Sequence, residues 1–249
     1  MTHPARRLLF VLLLASMALT TARAADPSAL WHIVHDRCVP DEQSKQDPAP
    51  CASVDLTHGY AVLKDRDGAT QFLLIPTARV SGIEDAAILA PDAPNYWDAA
   101  WQARHDVEQR AGHALARDVL SLAINSPSGR TQDQLHIHID CLRADVRAAL
   151  AQHQAEIGPQ WSTFPVPLAG HRYRAMRLPG ADLGGTNPFR LLAAGVPQAE
   201  MGEHTLVLAG ATFAANEQGF ILLDDRADLT AGDRASGEEL QDHDCALAR

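Results

Sequence analysis

The chain has 249 residues, of which 46% are hydrophobic and 21% are charged. This composition is that of a globular protein with a sizeable core, and it excludes a disordered or collagen-like chain. The formal net charge of −10 comes without any basic stripe, which argues against nucleic acid as a partner because phosphate backbones attract clustered positive charge.

The first 24 residues have the pattern of an export signal. Arg6 and Arg7 precede an apolar run over residues 8–19, and Ala22-Arg23-Ala24 provides a small-residue cleavage site. An apolar run of this length rises about 18 Å as a helix, well short of the roughly 30 Å hydrocarbon core of a membrane. The sequence therefore predicts export and cleavage after Ala24, with an uncleaved membrane anchor as the alternative.

Export changes how the cysteines are interpreted, because an even number of them in an oxidising compartment favours disulfides. The four are Cys38, Cys51, Cys141 and Cys245, and none of them forms a CxxC pair. Three pairings are possible. We favour Cys38 with Cys51 as a local staple and Cys141 with Cys245 as a tie to the C-terminus, while buried free thiols are the alternative.

Short apolar runs separated by turn-forming residues predict an α+β fold with antiparallel sheet. The predicted helices cover residues 30–38, 96–116 and 189–194, and a polar loop covers residues 39–51. The predicted strands cover residues 60–63, 71–75, 119–124, 135–142, 173–178, 205–209 and 220–223. Prolines at 159, 165 and 167 are compatible with a junction between an active half (about 25–158) and a second half (about 159–249), and equally with a loop inside one domain.

The most informative stretch is residues 125–140, in which polar and apolar side chains alternate. His136, His138 and Asp140 are separated by single aliphatic residues. On a strand this period places the polar set on one face, with neighbours about 6.5 to 7 Å apart, so two imidazoles and a carboxylate can converge on one small group. The simpler alternative is an exposed polar face on an edge strand.

Two chemistries fit this face. His136 and His138 form a common metal-ligand pair, and Asp140 completes a three-ligand site. Alternatively, a neutral imidazole attacks phosphorus through one nitrogen while an acceptor holds its other N–H. Thr131, Gln132 and the backbone N–H groups after residue 129 would then bind phosphate oxygens. The spacing is compatible with both.

The segment HIHID resembles the His-x-His-x-His signature of the histidine-triad superfamily of nucleotide hydrolases and transferases, with Asp140 in the third position. Over most of residues 30–249 the chain also resembles the bacterial CDP-diacylglycerol pyrophosphatase family. The segments that carry this resemblance are YAVLKDRDG, FLLIPTARVSGIE, AWQAR, SLAINSPSGRTQDQLHIHIDCLRADVR and EELQDHDC.

The resemblance implies a histidine-triad-like hydrolase domain over residues 25–249. It implies CDP-diacylglycerol at the membrane surface as substrate, CMP and phosphatidate as products, and no cofactor. The expected location is the periplasm, at or anchored to the cell inner membrane. The alternatives are a general nucleotidyl hydrolase or transferase of the same superfamily, and a periplasmic metal-binding module built on His136, His138 and Asp140.

Motif position assigns roles to individual residues. The resemblance implies that His138 is the nucleophile, that His136 takes the first position, and that Asn125, eleven residues earlier, contacts the nucleotide or its phosphate. An ionised Asp140 cannot donate a hydrogen bond to phosphate and would repel it, so cationic donors are needed elsewhere. The predicted substrate-binding set is Asn125, Arg130, Thr131, Gln132, Asp140 and Arg79.

One further segment echoes the histidine strand. His243 in LQDHDC stands in a setting similar to that of His138 in LHIHIDC. This echo suggests that the second half is a degenerate copy without chemistry of its own.

Overall fold

The computed structural model describes residues 26–248. Helices and antiparallel strands alternate along the chain, which confirms the predicted α+β class. The predicted export signal lies outside the described residues. Among residues 26–248 no helix is both long enough and apolar enough to cross a membrane.

A single sheet runs through the described chain, and all its strand pairs are antiparallel. Its strands are β1 (Ser53–Asp55), β2 (Tyr60–Lys64), β3 (Phe72–Pro76), β4 (Leu120–Ile124), β5 (Ile137–Leu142), β6 (Ser162–Thr163), β7 (Arg174–Pro179), β8 (His204–Thr212), β9 (Gln218–Arg226) and β10 (Gln241–Asp242). The spatial order is β1-β2-β3-β5-β4-β8-β9-β7-β6, and β10 pairs with the end of β5. Because β4 pairs with β8, strands from both predicted halves belong to one sheet.

Helices cover parts of both faces of this sheet. The α-helices are α1 (Ala29–Ile33), α2 (Val39–Lys45), α3 (Tyr96–Gln102), α4 (Arg104–Ala111), α5 (Ala144–His153) and α6 (Pro188–Ala193), and a π-helical stretch (Val34–Cys38) joins α1 to α2. Short 3₁₀ turns cover Ala86–Leu89, Arg117–Val119, Gln154–Glu156, Gln198–Glu203, Ala214–Asn216, Gly237–Leu240 and Ala246–Ala248.

The two faces of the sheet are packed differently. One face carries the largest apolar cluster, in which strand residues such as Ile137 and Ile139 pack with the buried Trp97 and Trp101 of α3. The opposite face carries two smaller clusters. One gathers around α5, and the other gathers around the Cys38–Cys51 segment. Aliphatic burial at about 25 cal/mol per Å² is the main stabilising contribution on both faces.

Strand β5 places one polar side chain directly between the two smaller clusters. His138 pairs across the sheet with Leu73 on β3 and with Ala123 on β4. Leu73 belongs to the cluster beside Cys38, and Ala123 belongs to the cluster beside α5. Since directly opposed residues in an antiparallel pair share a face, His138 lies in a polar strip with apolar packing on both sides.

Both predicted disulfides are present. Cys38 and Cys51 have Cα atoms 5.7 Å apart, and Cys141 and Cys245 have Cα atoms 5.2 Å apart. The first staples the N-terminal helices to the start of the sheet. The second ties the C-terminal segment to β5, the strand that carries the histidines.

The predicted strands all form, with β8 and β9 longer than expected. Two other predictions were wrong. The predicted loop 39–51 begins as helix α2, where Pro40 occupies a first-turn position that tolerates proline and Asp41 and Glu42 favour the helix N-terminus. The predicted helix 96–116 is divided at Ala103 into α3 and α4, and the left-handed Gly112 ends α4.

Candidate active site

The histidine strand is central and its polar face is buried. β5 lies between β3 and β4, and the exposed fractions of His136, His138 and Asp140 are 7%, 5% and 0%. Ile137 and Ile139 belong to the apolar cluster on the other face, so the predicted alternation is confirmed. The alternative of an exposed polar face on an edge strand was wrong.

His136 is neutral and has a defined tautomer. Its Nδ1 lies 2.7 Å from the backbone carbonyl oxygen of Gln134, which only accepts hydrogen bonds, so Nδ1 carries the proton and donates it. Its Nε2 therefore carries the lone pair. Burial lowers the pKa of His136 to about 4, and the neighbouring His138, whose ring centroid lies 4.9 Å away, acts in the same direction.

The tautomer of His138 follows from the groups around it. The Asn125 side-chain oxygen accepts from the Glu238 backbone N–H at 3.2 Å, which turns the Asn125 amide nitrogen toward His138 Nε2, 3.5 Å away. Nε2 is therefore the acceptor and Nδ1 carries the proton, with Glu238 Oε2 3.1 Å from Nδ1 as a charged neighbour. The side-chain amide of Gln71 lies 2.7 Å from the same Nδ1, and rotating that amide lets its oxygen accept.

Burial also keeps His138 uncharged. It lowers the pKa of His138 to about 3, and positive charge on His243 adds to this effect. Two neutral imidazoles thus lie side by side at neutral pH, each with the lone pair on Nε2. A neutral imidazole with one nitrogen free and the other N–H held is prepared for nucleophilic or acid–base chemistry.

Both oxygens of Asp140 are occupied by protein donors. Oδ1 accepts from Thr70 Oγ1 at 2.7 Å and from the Cys141 backbone N–H at 2.9 Å, and Oδ2 accepts from His243 Nδ1 at 2.9 Å. Burial raises the pKa of Asp140, while these three hydrogen bonds act in the opposite direction. The Asp140 carboxylate therefore positions neighbouring side chains, because both of its oxygens already accept hydrogen bonds from the protein.

The loop before β5 brings one predicted residue to the histidines and engages others elsewhere. Asn125 reaches His138, as described above. Arg130, with a side chain only 6% exposed, donates to both carboxylate oxygens of Glu84 at 2.8 and 2.7 Å. Gln132 bonds the backbone of Asp26 and Leu30 at the start of the described chain.

The remaining predicted substrate contacts lie toward the surface. Thr131 is exposed, and its carbonyl oxygen accepts from the Gln132 side chain. Arg79 donates to Ser28 Oγ at 3.0 Å, and its guanidinium lies 5.3 Å from the centroid of the Trp31 ring. The contacts of Arg79 are therefore with the segment around α1.

Sequence reasoning missed the groups that complete the site, namely Thr70, Gln71, Glu238 and His243. The first two precede β3, and the others belong to the C-terminal segment that contains β10. One signal pointed to His243. The predicted Cys141–Cys245 disulfide brings His243, two positions before Cys245, close to Asp140, which precedes Cys141.

Within residues 26–248, the one group with the spacing of metal ligands consists of His171, Asp225 and Asp233. It lines a cleft of about 650 Å³ in the C-terminal half. The geometry does not favour a metal ligand role for Asp140 on the histidine strand, because both of its oxygens already accept hydrogen bonds.

Two buried neutral imidazoles, one hydrogen-bonded to a carbonyl and the other beside a carboxylate, define an enzyme active site on an α+β fold. The comparisons specify the family. A family model described as CDP-diacylglycerol pyrophosphatase matches residues 25–249. A protein of Yersinia pestis named CDP-diacylglycerol pyrophosphatase is 44% identical over 242 residues, which cover 96% of this chain and 92% of that protein. The chain belongs to the CDP-diacylglycerol pyrophosphatase family.

Proposed function

We propose that this chain hydrolyses the phosphoanhydride of CDP-diacylglycerol to CMP and phosphatidate through a nucleotidyl-histidine intermediate on His138. The observation that carries the proposal is the buried pair of neutral imidazoles, each with the lone pair on Nε2. Family membership supports the substrate. The resemblance of HIHID to the histidine-triad signature supports a histidine-triad-like fold and the covalent route.

The reaction takes two displacements at the cytidylyl phosphorus. His138 Nε2 attacks, the N–P bond forms, and the bond from phosphorus to the bridging oxygen breaks, so that phosphatidate leaves with the electron pair. Water then attacks the same phosphorus, the N–P bond breaks, and CMP leaves. Phosphatidate is a phosphate monoester with a second pKa of about 6, which makes it a competent leaving group at neutral pH.

Glu238 favours His138 as the nucleophile. When Nε2 bonds to phosphorus the imidazole ring becomes positively charged, and Glu238 Oε2, 3.1 Å from Nδ1, stabilises that charge. His136 meets the same tautomeric requirement, but its Nδ1 is held by an uncharged carbonyl. We therefore assign His136 to orienting the nucleophile and the substrate.

Asn125 is the proposed phosphate contact, because its amide nitrogen already lies beside His138 Nε2, where the phosphate must enter. The backbone N–H groups of the loop after residue 129 are further donors in the proposal. Arg130, Thr131, Gln132, Arg79 and Asp140 stay predictions as direct substrate contacts.

The experiment that tests this function is incubation of purified protein with CDP-diacylglycerol, followed by identification of the products. We expect CMP and phosphatidate, and activity that survives dialysis against EDTA. Comparable turnover of soluble nucleotide diphosphates that lack the diacyl group would indicate the general nucleotidyl hydrolase. Activity that EDTA abolishes and a divalent metal restores would support the metal-binding alternative. No turnover of CDP-diacylglycerol would contradict the proposal.

We also propose that the chain is exported and acts at the periplasmic side of the inner membrane, where its lipid substrate resides. The two disulfides support an oxidising compartment. N-terminal sequencing of the exported protein is expected to begin at Ala25. An intact Met1 in the membrane fraction would contradict cleavage and indicate an anchor.

A further inference from the structure

His243 lies in a defined hydrogen-bonding environment that the sequence did not reveal. The echo in LQDHDC suggested a degenerate copy without chemistry, but the structure places this imidazole against Asp140, the residue in the third position of the histidine motif. His243 Nδ1 lies 2.9 Å from Asp140 Oδ2, and the His243 side chain is 34% exposed. Its Nε2 has no hydrogen-bond partner within residues 26–248.

The main chain at His243 is fixed by the turn between β2 and β3. The carbonyl oxygen of His243 accepts from the backbone N–H groups of Ala69 at 2.7 Å and Thr70 at 3.2 Å. Gly68 has φ +68°, and a Cβ on it would lie 2.4 Å from the Cβ of His243. This turn therefore packs so closely on His243 that only glycine fits.

Two further connections hold His243 in place from its own segment. Strand β10, immediately before His243, pairs with Leu142 and Cys141 of β5. The Cys141–Cys245 disulfide then joins the residue after Asp140 to the residue two positions after His243. Such multiple constraint is the preorganisation that a catalytic group needs, since its position is set before substrate arrives.

The charges around His243 favour its protonated form. The hydrogen bond to Asp140 raises the pKa of His243, while burial opposes this and the charges of Asp140, Glu238 and Asp65 add to it. His138, in contrast, stays neutral because burial lowers its pKa. The titratable groups that face His243 from neighbouring elements are Asp65 from the β2–β3 turn, His138 and Asp140 from β5, and Glu238 from the turn before β10.

We propose that His243 is a catalytic residue whose imidazolium, held by Asp140, donates its Nε2 proton to the bridging oxygen as phosphatidate leaves. This inference rests on the proposed function. As the P–O bond breaks, the proton passes from His243 to phosphatidate. Neutral His243 then accepts a proton from the attacking water while the N–P bond breaks, which restores the imidazolium. Asp140 is a positioning residue, and the cation expected in the third motif position comes from the C-terminal segment.

The decisive test compares two leaving groups in the His243→Ala variant. With CDP-diacylglycerol we expect kcat/KM to fall by about 10²- to 10⁴-fold, the usual contribution of general acid–base catalysis. With the 2,4-dinitrophenyl ester of CMP, whose leaving group needs no proton, we expect a loss of about tenfold or less. His58→Ala is the matched control, because His58 pairs with Asp55 at 2.7 Å on β1 and should leave both reactions unchanged.

The pH profile of kcat/KM is a second test of this role, because a His243 that only supported the structure would not determine the position of its alkaline limb. Wild-type kcat/KM should fall as the pH rises above the usual imidazole value, where His243 loses its proton. It should also fall toward acid as Glu238, whose pKa is raised by burial, takes up a proton before His136 does near pH 4. Asp140→Asn should move the alkaline limb to lower pH, and His243→Ala should abolish it. Equal losses on both leaving groups, or an unchanged alkaline limb, would overturn the proposal.

A variant that keeps the His243 side chain provides an independent check. Gly68→Ala should displace His243 and reduce activity on CDP-diacylglycerol more than on the dinitrophenyl ester. Gly59→Ala is the matched control, because Gly59 has a similar φ of +73° but its nearest contact is 3.6 Å away. Rapid quenching of the wild-type protein with labelled CDP-diacylglycerol separates failure of the covalent mechanism from failure of the role of His243. If no histidine carries the label, the covalent mechanism is wrong, whatever the His243 variants show.

Discussion

His138→Ala is expected to lower kcat on CDP-diacylglycerol by about 10⁴-fold or more, the scale seen when a covalent nucleophile is removed. The reason is geometric. His138 is the imidazole whose Nδ1 lies 3.1 Å from a carboxylate oxygen, so the charge formed on the ring during attack is stabilised. The measurement is steady-state turnover of the purified variant, with circular dichroism to confirm that it is folded.

His136→Ala is the matched variant for this prediction, because His136 lies two residues away on the same buried face. We expect it to lower kcat by about 10²-fold, as for the loss of an orienting group. If His136→Ala abolished turnover while His138→Ala kept most of it, the roles of the two histidines would be reversed. The carbonyl-held tautomer of His136 makes that outcome chemically possible.

Removal of the Cys141–Cys245 disulfide is expected to lower both stability and activity. The bridge spans 104 residues, and in the chain-entropy account a loop of that length contributes about 4 to 5 kcal/mol to the free energy of unfolding. The Cys141→Ser/Cys245→Ser variant also releases the segment that carries His243. We therefore expect kcat to fall even under conditions in which the variant remains folded.

The second disulfide is a natural control. Cys38 and Cys51 are separated by 13 residues, and a loop of that size contributes about 3 kcal/mol. Cys38→Ser/Cys51→Ser should reduce the free energy of unfolding, measured by denaturant titration, without changing kcat. Equal kcat values in the two double variants would contradict the role given to the C-terminal segment.

The chemistry of β5 was predictable because it depends on local periodicity. Alternation with period two assigns His136 and His138 to one face of a strand whatever the rest of the chain does. Disulfide formation was likewise predictable from the even number of cysteines and the predicted export signal, and the pairing favoured among three is the one that forms. The burial of that face was not, since it depends on which strands flank β5.

Apart from His243, to which the predicted Cys141–Cys245 disulfide pointed, the groups that complete the site could not be predicted from the sequence, because each is far from β5 along the chain. Asp140 was expected to face phosphate, but Thr70 and His243, which are 70 and 103 residues away, occupy its oxygens. Arg130 was expected in the phosphate loop as a free cation, but Glu84, 46 residues earlier, pairs with it. Local patterns carry no information on such pairings.

The covalent intermediate is the central claim, and rapid quenching tests it most directly. Protein mixed with CDP-diacylglycerol labelled in the cytidylyl phosphate, quenched within one turnover and digested, should yield an acid-labile phosphoramidate on the peptide that contains His136 and His138. Label on His138 is the result that we predict. Turnover without any protein-bound label, or label recovered on a peptide outside β5, would contradict the account.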